Sequence, residues 1–146
     1  MLEVVCLRGL PGSGKTTLAN EIIRETGGKY VHYEADQWMI DPASGLYRFD
    51  YKRLPECHQK CQEATYKALS EAKKSVIVSN TFVMQWELAN YVDIARRNSA
   101  SFRVIALRGN FGSVHEVPQS VVDSMASRWQ SWPGETIIGE ERAPLL

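Results

Sequence analysis

One short run limits what this chain can fold into: Gly9-Leu10-Pro11-Gly12-Ser13-Gly14-Lys15-Thr16, followed by Thr17. It fits G-x-x-x-x-G-K-[ST], a loop that cradles phosphate when a buried strand enters it and a helix leaves it. The glycines permit the tight turn that aims backbone N–H groups at an anion. Lys15 can reach β- and γ-phosphates as a point charge, and the Thr16 hydroxyl can take one position on hydrated Mg²⁺. The flanks agree with this reading. Glu3-Val4-Val5-Cys6-Leu7 is apolar and β-prone, as a buried parallel strand should be. Leu18, Ala19, Ile22 and Ile23 then form one helical stripe, closed by Gly27-Gly28. A dinucleotide-binding G-x-G-x-x-G also begins at Gly12, with Glu34 at a fitting distance, but Thr17 stands where the third glycine belongs. Gly9, Pro11, Gly12, Ser13, Gly14, Lys15, Thr16 and Thr17 are therefore the expected nucleotide-binding residues, with ATP and Mg²⁺ as ligands. Without a ligand, Lys15 is expected to face solvent.

A chain of 146 residues holds one domain with a full core. Lys plus Arg equals Asp plus Glu at 17 each, which gives no support for a broad nucleic-acid surface, although a local groove stays open. The three cysteines, Cys6, Cys57 and Cys61, are an odd count in a chain without a leader pattern, so reduced thiols and a cytoplasmic setting are expected. No apolar run is long enough to span a membrane.

Tyr30 to Glu34 is expected to form the second strand, and Asp36 leaves its C-terminal end, the edge where open α/β sheets bind ligands. Alone, such an Asp is a turn former or helix N-cap. Beside a P-loop it is placed to take the proton from an attacking hydroxyl. Turn signals at Asp41-Pro42 and Ser44-Gly45 precede Tyr47, Phe49 and Tyr51, which share one face if extended. They either cover the sheet edge or stack an acceptor base, with Trp38 as a further stacking residue and Arg48, Lys52 or Arg53 on phosphate.

A helix is expected over 54–74, with Cys57, Cys61, Ala64, Ala68, Leu69 and Ala72 as its buried stripe. Cys57, His58 and Cys61 invite a zinc reading, but no second Cys/His pair has matching spacing, so the two thiols read as core. The third strand, 75–79, runs into Ser79-Asn80-Thr81, where Asn80 replaces the Asp that often holds Mg²⁺ through water. A helix with Trp86, Leu88, Tyr91, Ile94 and Ala95 follows, then a fourth strand at 102–107. Arg108 directly after it, beside Gly109 and Gly112, stands where a lid arginine could close over phosphates, with Arg48 or Arg128 as substitutes. Pro118 opens a last helix through Trp129 with Val121, Val122 and Met125 on its stripe. Residues from Gln130 onward read as polar and weakly ordered, with a short strand at 136–138. The expected organisation is thus a domain over 1–132 and a tail over 133–146. The expected fold is α/β: a three-layer P-loop NTPase, with a parallel sheet of four to five strands flanked by helices.

These motifs, in order, are similar to the P-loop kinase module of phage 5′-polynucleotide kinases and of polynucleotide-kinase-like ATPases. The resemblance covers roughly residues 2–132. It rests on Gly9–Thr17, on Asp36, on Gly45-x-Tyr47-x-Phe49, on Ser79-Asn80-Thr81 and on Val117-Pro118. It implies ATP-dependent phosphorylation of a hydroxyl at a nucleic-acid end or on a small nucleoside-like acceptor. Lys15, Asp36 and Arg108 would be catalytic, Thr16 and Asn80 would hold metal, and Trp38, Tyr47, Arg48 and Arg53 would hold the acceptor. Three departures stand out: Met39 replaces an acceptor-binding Arg, Ser79-Asn80 lacks a carboxylate, and the lid is short. They favour an alternative, a nucleotide-binding regulatory ATPase or switch that has no acceptor and acts through a protein partner.

Overall fold

A computed structural model describes residues 1–110 and 117–139. Its sheet has five parallel strands: β1 (Glu3–Arg8), β2 (Tyr30–Tyr33), β3 (Ser75–Asn80), β4 (Ser101–Leu107) and β5 (Thr136–Ile138), in the order β2-β3-β1-β4-β5. The helices are α1 (Lys15–Glu25), α2 (Leu54–Ser70), α3 (Trp86–Arg97) and α4 (Gln119–Arg128). Successive residues of β1 face opposite sides of the sheet. Val4 and Cys6 join Val76, Val78 and Val104 against Cys61, Leu69, Leu88 and Tyr91 of α2 and α3. Val5 and Leu7 join Ile77, Ile105 and Leu107 against Ala19 of α1. Both faces are covered, which is why the strands read as unbroken apolar runs. The expected three-layer α/β sheet is the one observed.

β1 pairs with β3 on one side and β4 on the other, so the strand order reverses at β1, and the crevice above its C-terminal end is the ligand edge. α1 closes where the Thr26 hydroxyl donates to Ile22 O (2.6 Å) and the Gly28 amide to Ile23 O (3.1 Å).

Five local expectations are corrected. α2 stops at Ser70, so Ala72 is exposed; Thr65 is buried in the stripe instead, its hydroxyl donating to Cys61 O at 2.8 Å. β2 ends at Tyr33, one residue early, because Glu34 caps a 3-10 turn over Ala35–Trp38: Gln37 returns a side-chain bond to the Glu34 amide (3.0 Å). Tyr47, Phe49 and Tyr51 do not lie on one extended face. Tyr47 bridges Ile40 antiparallel, Tyr51 opens a 3-10 turn over Tyr51–Arg53, and all three stay exposed rather than covering the sheet edge. No residue of α4 is buried, so its apolar stripe does not enter the core, and Trp129 lies beyond its end. Residues 130–138 are pinned rather than loose. The Gln130 amide donates to Val83 O (2.9 Å), Gln85 Nε2 to Ser131 O (2.7 Å), and β5 pairs with β4 from Ile105–Thr136 onward. The remainder of the expected tail, 140–146, is outside the described residues.

Candidate active site

The loop after β1 is shaped by packing as well as by glycine freedom. A Cβ on Gly9 would collide with Ser13 Oγ and lie 2.9 Å from Leu107 O, so the first motif position has no room for a side chain. Gly12 (φ 80°) and Gly14 (φ 96°) occupy the left-handed region. α1 starts directly after Gly14 with no side-chain cap and no acidic residue in its first turn. Its first N–H groups are therefore available to an anion.

Lys15 does not face solvent as expected. Its Nζ folds back across the loop and donates to Gly9 O (2.9 Å), Leu10 O (3.1 Å) and Ser13 Oγ (3.4 Å). Burial lowers its pKa to about 8, while the charges of Glu34 and Asp36 act against that fall. Both carboxylates thus lie within electrostatic reach of the P-loop lysine. The Thr16 hydroxyl, exposed at the loop's mouth, makes a long contact to Glu34 Oε2 at 3.5 Å. Glu34 was not anticipated as a site residue; its only signal was its position at a strand end beside Asp36.

Asn80 is committed elsewhere than to a metal. Its Oδ1 accepts the Ala35 amide at 2.9 Å, so it brackets the Asp36 turn to the end of β3. Met39, at the position of the missing Arg, is fully buried with Ala35 and Cys57 and fastens that turn to α2. Arg53 is likewise occupied: it donates to Ile40 O (2.6 Å) and Trp38 O (3.3 Å), and pairs with Glu56 at 3.3 Å. Trp38 is half-buried against two core clusters, its ring 6.1 Å from that of Tyr33. Tyr47 stays near the site: burial, then the charges of Asp36 and Glu34, raise its hydroxyl pKa. Arg48 is exposed and only 3.8 Å from Asp41. The Arg108 amide donates to Ile138 O (2.9 Å), which ties the root of the expected lid to β5. Most of that lid, 111–116, is outside the described residues, and Arg128 is exposed at the end of α4. The structure therefore brings Lys15, Thr16, Glu34 and Asp36 to one edge, with Tyr47 at its margin, and does not gather the expected acceptor cations there.

Arg8 was also missed. It is the last residue of β1, fully buried, and donates to Phe82 O (2.6 Å), Val83 O (3.1 Å) and Gln130 O (2.7 Å). It forms a 2.9 Å ion pair with Glu135 and lies 4.0 Å from the centre of the Trp129 ring. Its signal was a charge at the buried end of an apolar strand, immediately before Gly9.

The thiols of Cys6, Cys57 and Cys61 are free and buried; burial raises Cys61 to about 11, as suits core residues rather than nucleophiles. Among the described residues no group of three His, Cys, Asp or Glu side chains could hold a metal by itself, and no helix is long and apolar enough to cross a membrane.

A sheet of order 2-3-1-4-5 with this loop on β1 defines a P-loop kinase-like domain, and the chain belongs to the AAA_33 family (AAA domain), matched over residues 4–110. It is 33% identical over 97 residues to human NEDD4-binding protein 2, a match that spans 66% of this chain and 5% of that protein. The chain thus covers a small part of that relative's length. In structure it is similar to the Mycobacterium tuberculosis APS kinase CysC in complex with AMPPNP and APS. There the TM-score is 0.63 and identity 14%, covering 97% of this chain and 90% of that one. It is also similar to a chain of the Pnkp1/Rnl/Hen1 RNA repair complex, with TM-score 0.59 and 18% identity, over 91% of this chain and 40% of that one.

Proposed function

We propose that the chain is an ATP-dependent phosphotransferase that moves the γ-phosphoryl group to a hydroxyl at a nucleic-acid end or on a small nucleoside-like acceptor. The observation that carries this reading is the pair Glu34 and Asp36 in the turn after β2, with Glu34 Oε2 3.5 Å from the Thr16 hydroxyl and both charges acting on Lys15. The roles divide by chemistry. Lys15 leaves its loop carbonyls for the γ-phosphate, and the N-terminus of α1 takes the remaining phosphate charge. Thr16 would hold Mg²⁺, with Glu34 ordering its waters, since hard oxygen donors suit that ion. When bound, the ion neutralises charge on the phosphates. Asp36 accepts the proton of the acceptor hydroxyl as its oxygen bonds to phosphorus. The bond from phosphorus to the bridging oxygen breaks, and its electron pair leaves with ADP. Arg108 at the root of the lid stabilises the transferring group. The buried free thiols fit a reducing, cytoplasmic setting.

A second reading, a nucleotide-controlled switch without acceptor, draws on the exposed apolar residues Leu46, Tyr47, Phe49 and Tyr51, which a protein partner could cover. One experiment separates the two: transfer of label from γ-labelled ATP to a panel of 5′-hydroxyl oligonucleotides, nucleosides and sugars. Phosphotransfer predicts label on at least one acceptor. It also predicts that Asp36→Asn lowers the rate by about 10²–10⁴ with ATP affinity little changed. Absence of label from every acceptor, with ATP still bound, selects the switch.

A further inference from the structure

The groove between α2 and α3 is lined by no residue of the P-loop, and Leu54 at its edge packs with Ala35, Met39 and Cys57, which flank and anchor the turn that carries Asp36. It has a volume of about 430 Å³, ample for a nucleoside or a hexose. His58, Gln59 and Gln62 of α2 line one side, and Trp86, Glu87 and Asn90 of α3 the other. Phe82 and Tyr91, whose rings meet edge to face at 5.6 Å, contribute to its lining.

Three features link this groove to the edge that carries the P-loop and Asp36. Cys57, one residue before His58, packs against Ala35 and Met39 on either side of Asp36. The charge of Asp36 acts on the His58 ring. Phe82 follows Thr81, whose carbonyl accepts the Gly9 amide of the P-loop at 3.3 Å.

The lining is specific in chemistry. Among the described residues no Lys or Arg lines the groove, and Glu87 is the one carboxylate in its lining. Glu87 Oε2 accepts the Met84 amide at 2.8 Å, and a carboxylate has further acceptor capacity for a hydroxyl. Gln59, Gln62 and Asn90 each offer amide donors and acceptors, and burial keeps His58 below its ordinary pKa, so it too is neutral near pH 7. Trp86 is 69% exposed at the groove's edge, leaving an indole face to lie on a ring. A phosphate here would meet the Glu87 carboxylate and, among the described lining residues, no counter-charge.

We infer that the α2–α3 groove is the acceptor site of the proposed phosphotransferase and that it selects a ring compound bearing hydroxyls but no phosphate, held by Trp86 and by the amides of Gln62 and Asn90. The inference rests on the proposed reading for its chemistry, but its test reads binding alone. Calorimetry would be run with the P-loop filled by Mg²⁺ and a non-hydrolysable ATP analogue. Adenosine and glucose serve as uncharged probes, and AMP and glucose phosphate as their charged counterparts. One uncharged probe should bind, its phosphate ester should bind at least about tenfold more weakly, and the probe that binds tells nucleoside from sugar. Trp86→Ala, at an exposed position where folding is not at stake, should weaken that probe about tenfold, as loss of one stacking contact does, and leave the ATP analogue unaffected. Asn90→Ala should act in the same direction. Tighter binding of a phosphate ester, binding of neither uncharged probe, or binding indifferent to both variants overturns the inference. So does an oligonucleotide whose binding depends on Phe49 and not on Trp86. Probe binding without any transfer would sink the phosphotransferase and keep the groove; transfer to an oligonucleotide by variants with an emptied groove would do the reverse.

Discussion

The two sides of the sheet's C-terminal edge are built by opposite strategies. On the phosphate side, adjacent residues, Gly9 to Thr16, make a site from backbone: the glycine torsions and the open turn of α1 would accept any phosphate chain. On the proposed acceptor side, Asp36 of the turn after β2, His58 of α2, Phe82 past the end of β3, and Trp86 and Asn90 of α3 come from separate elements and would act through side chains. A site made of backbone leaves a contiguous signature that survives large changes elsewhere. A site assembled from distant side chains leaves none, and it is where members of one fold diverge in substrate.

Arg8 is the seam between the two sides. It precedes Gly9, and its guanidinium holds the carbonyls of Phe82 and Val83 on the acceptor side and Gln130 in the C-terminal segment. Arg8→Ala should destabilise the protein by about 3–5 kcal/mol, because the Glu135 carboxylate and the buried carbonyls of Phe82 and Val83 would lose their partner. That is a large share of a typical domain's stability. Urea denaturation checks it, and ATP and acceptor binding should fail together as the population unfolds. A near-wild-type midpoint with loss on one side alone would show that the two sides are not joined here.

Legibility follows the same division. The strand, the phosphate loop, the helix behind it and the parallel sheet were all readable, because buried strands and glycine turns write themselves into neighbouring residues. The position of Asp36 just past the end of β2 was readable; its role as the base is the proposal made above. Glu34 and Arg8 were not: their roles depend on a 3.5 Å approach to Thr16 and on carbonyls more than seventy positions away, neither of which has a local pattern. The aromatic–basic segment 47–53 misled for a related reason. Its composition suggests a nucleic-acid surface, but Arg53 is occupied by the carbonyls of Trp38 and Ile40, a contact fixed only once α2 docks.

Glu34→Gln sharpens the contrast on the phosphate side. The amide keeps the shape and can still cap the Ala35–Trp38 turn, but it loses the charge beside Thr16. If Glu34 orders waters around Mg²⁺, the concentration of Mg²⁺ needed for half-maximal activity should rise about 10–100-fold, the usual effect of losing an outer-shell partner. Acceptor KM at saturating Mg²⁺ should stay put. A Mg²⁺ dependence equal to that of the wild type would return Glu34 to a purely capping role.

The smallest effect is expected on the acceptor side, from pH. Burial lowers the pKa of His58, partly offset by the charges of Glu87 and Asp36, and burial also lowers that of His32, whose Nε2 lies 2.8 Å from Ser79 Oγ. For a histidine whose folded pKa is depressed, the unfolded chain binds the proton first. Its contribution to stability is therefore fully present above the ordinary histidine pKa of about 6.5 and is lost as pH falls from there through the folded value. Each ring is only partly shielded, so its slope should stay well below the limit of about 1.4 kcal/mol per pH unit set by one full proton. His58→Gln should flatten the pH dependence of the urea midpoint below pH 6.5, and His32→Gln should flatten it further. ATP affinity in the same range should be untouched by His58→Gln, because that ring belongs to the groove. A change in ATP affinity would mean that the two sides share their electrostatics, and that the division between backbone site and side-chain site is drawn in the wrong place.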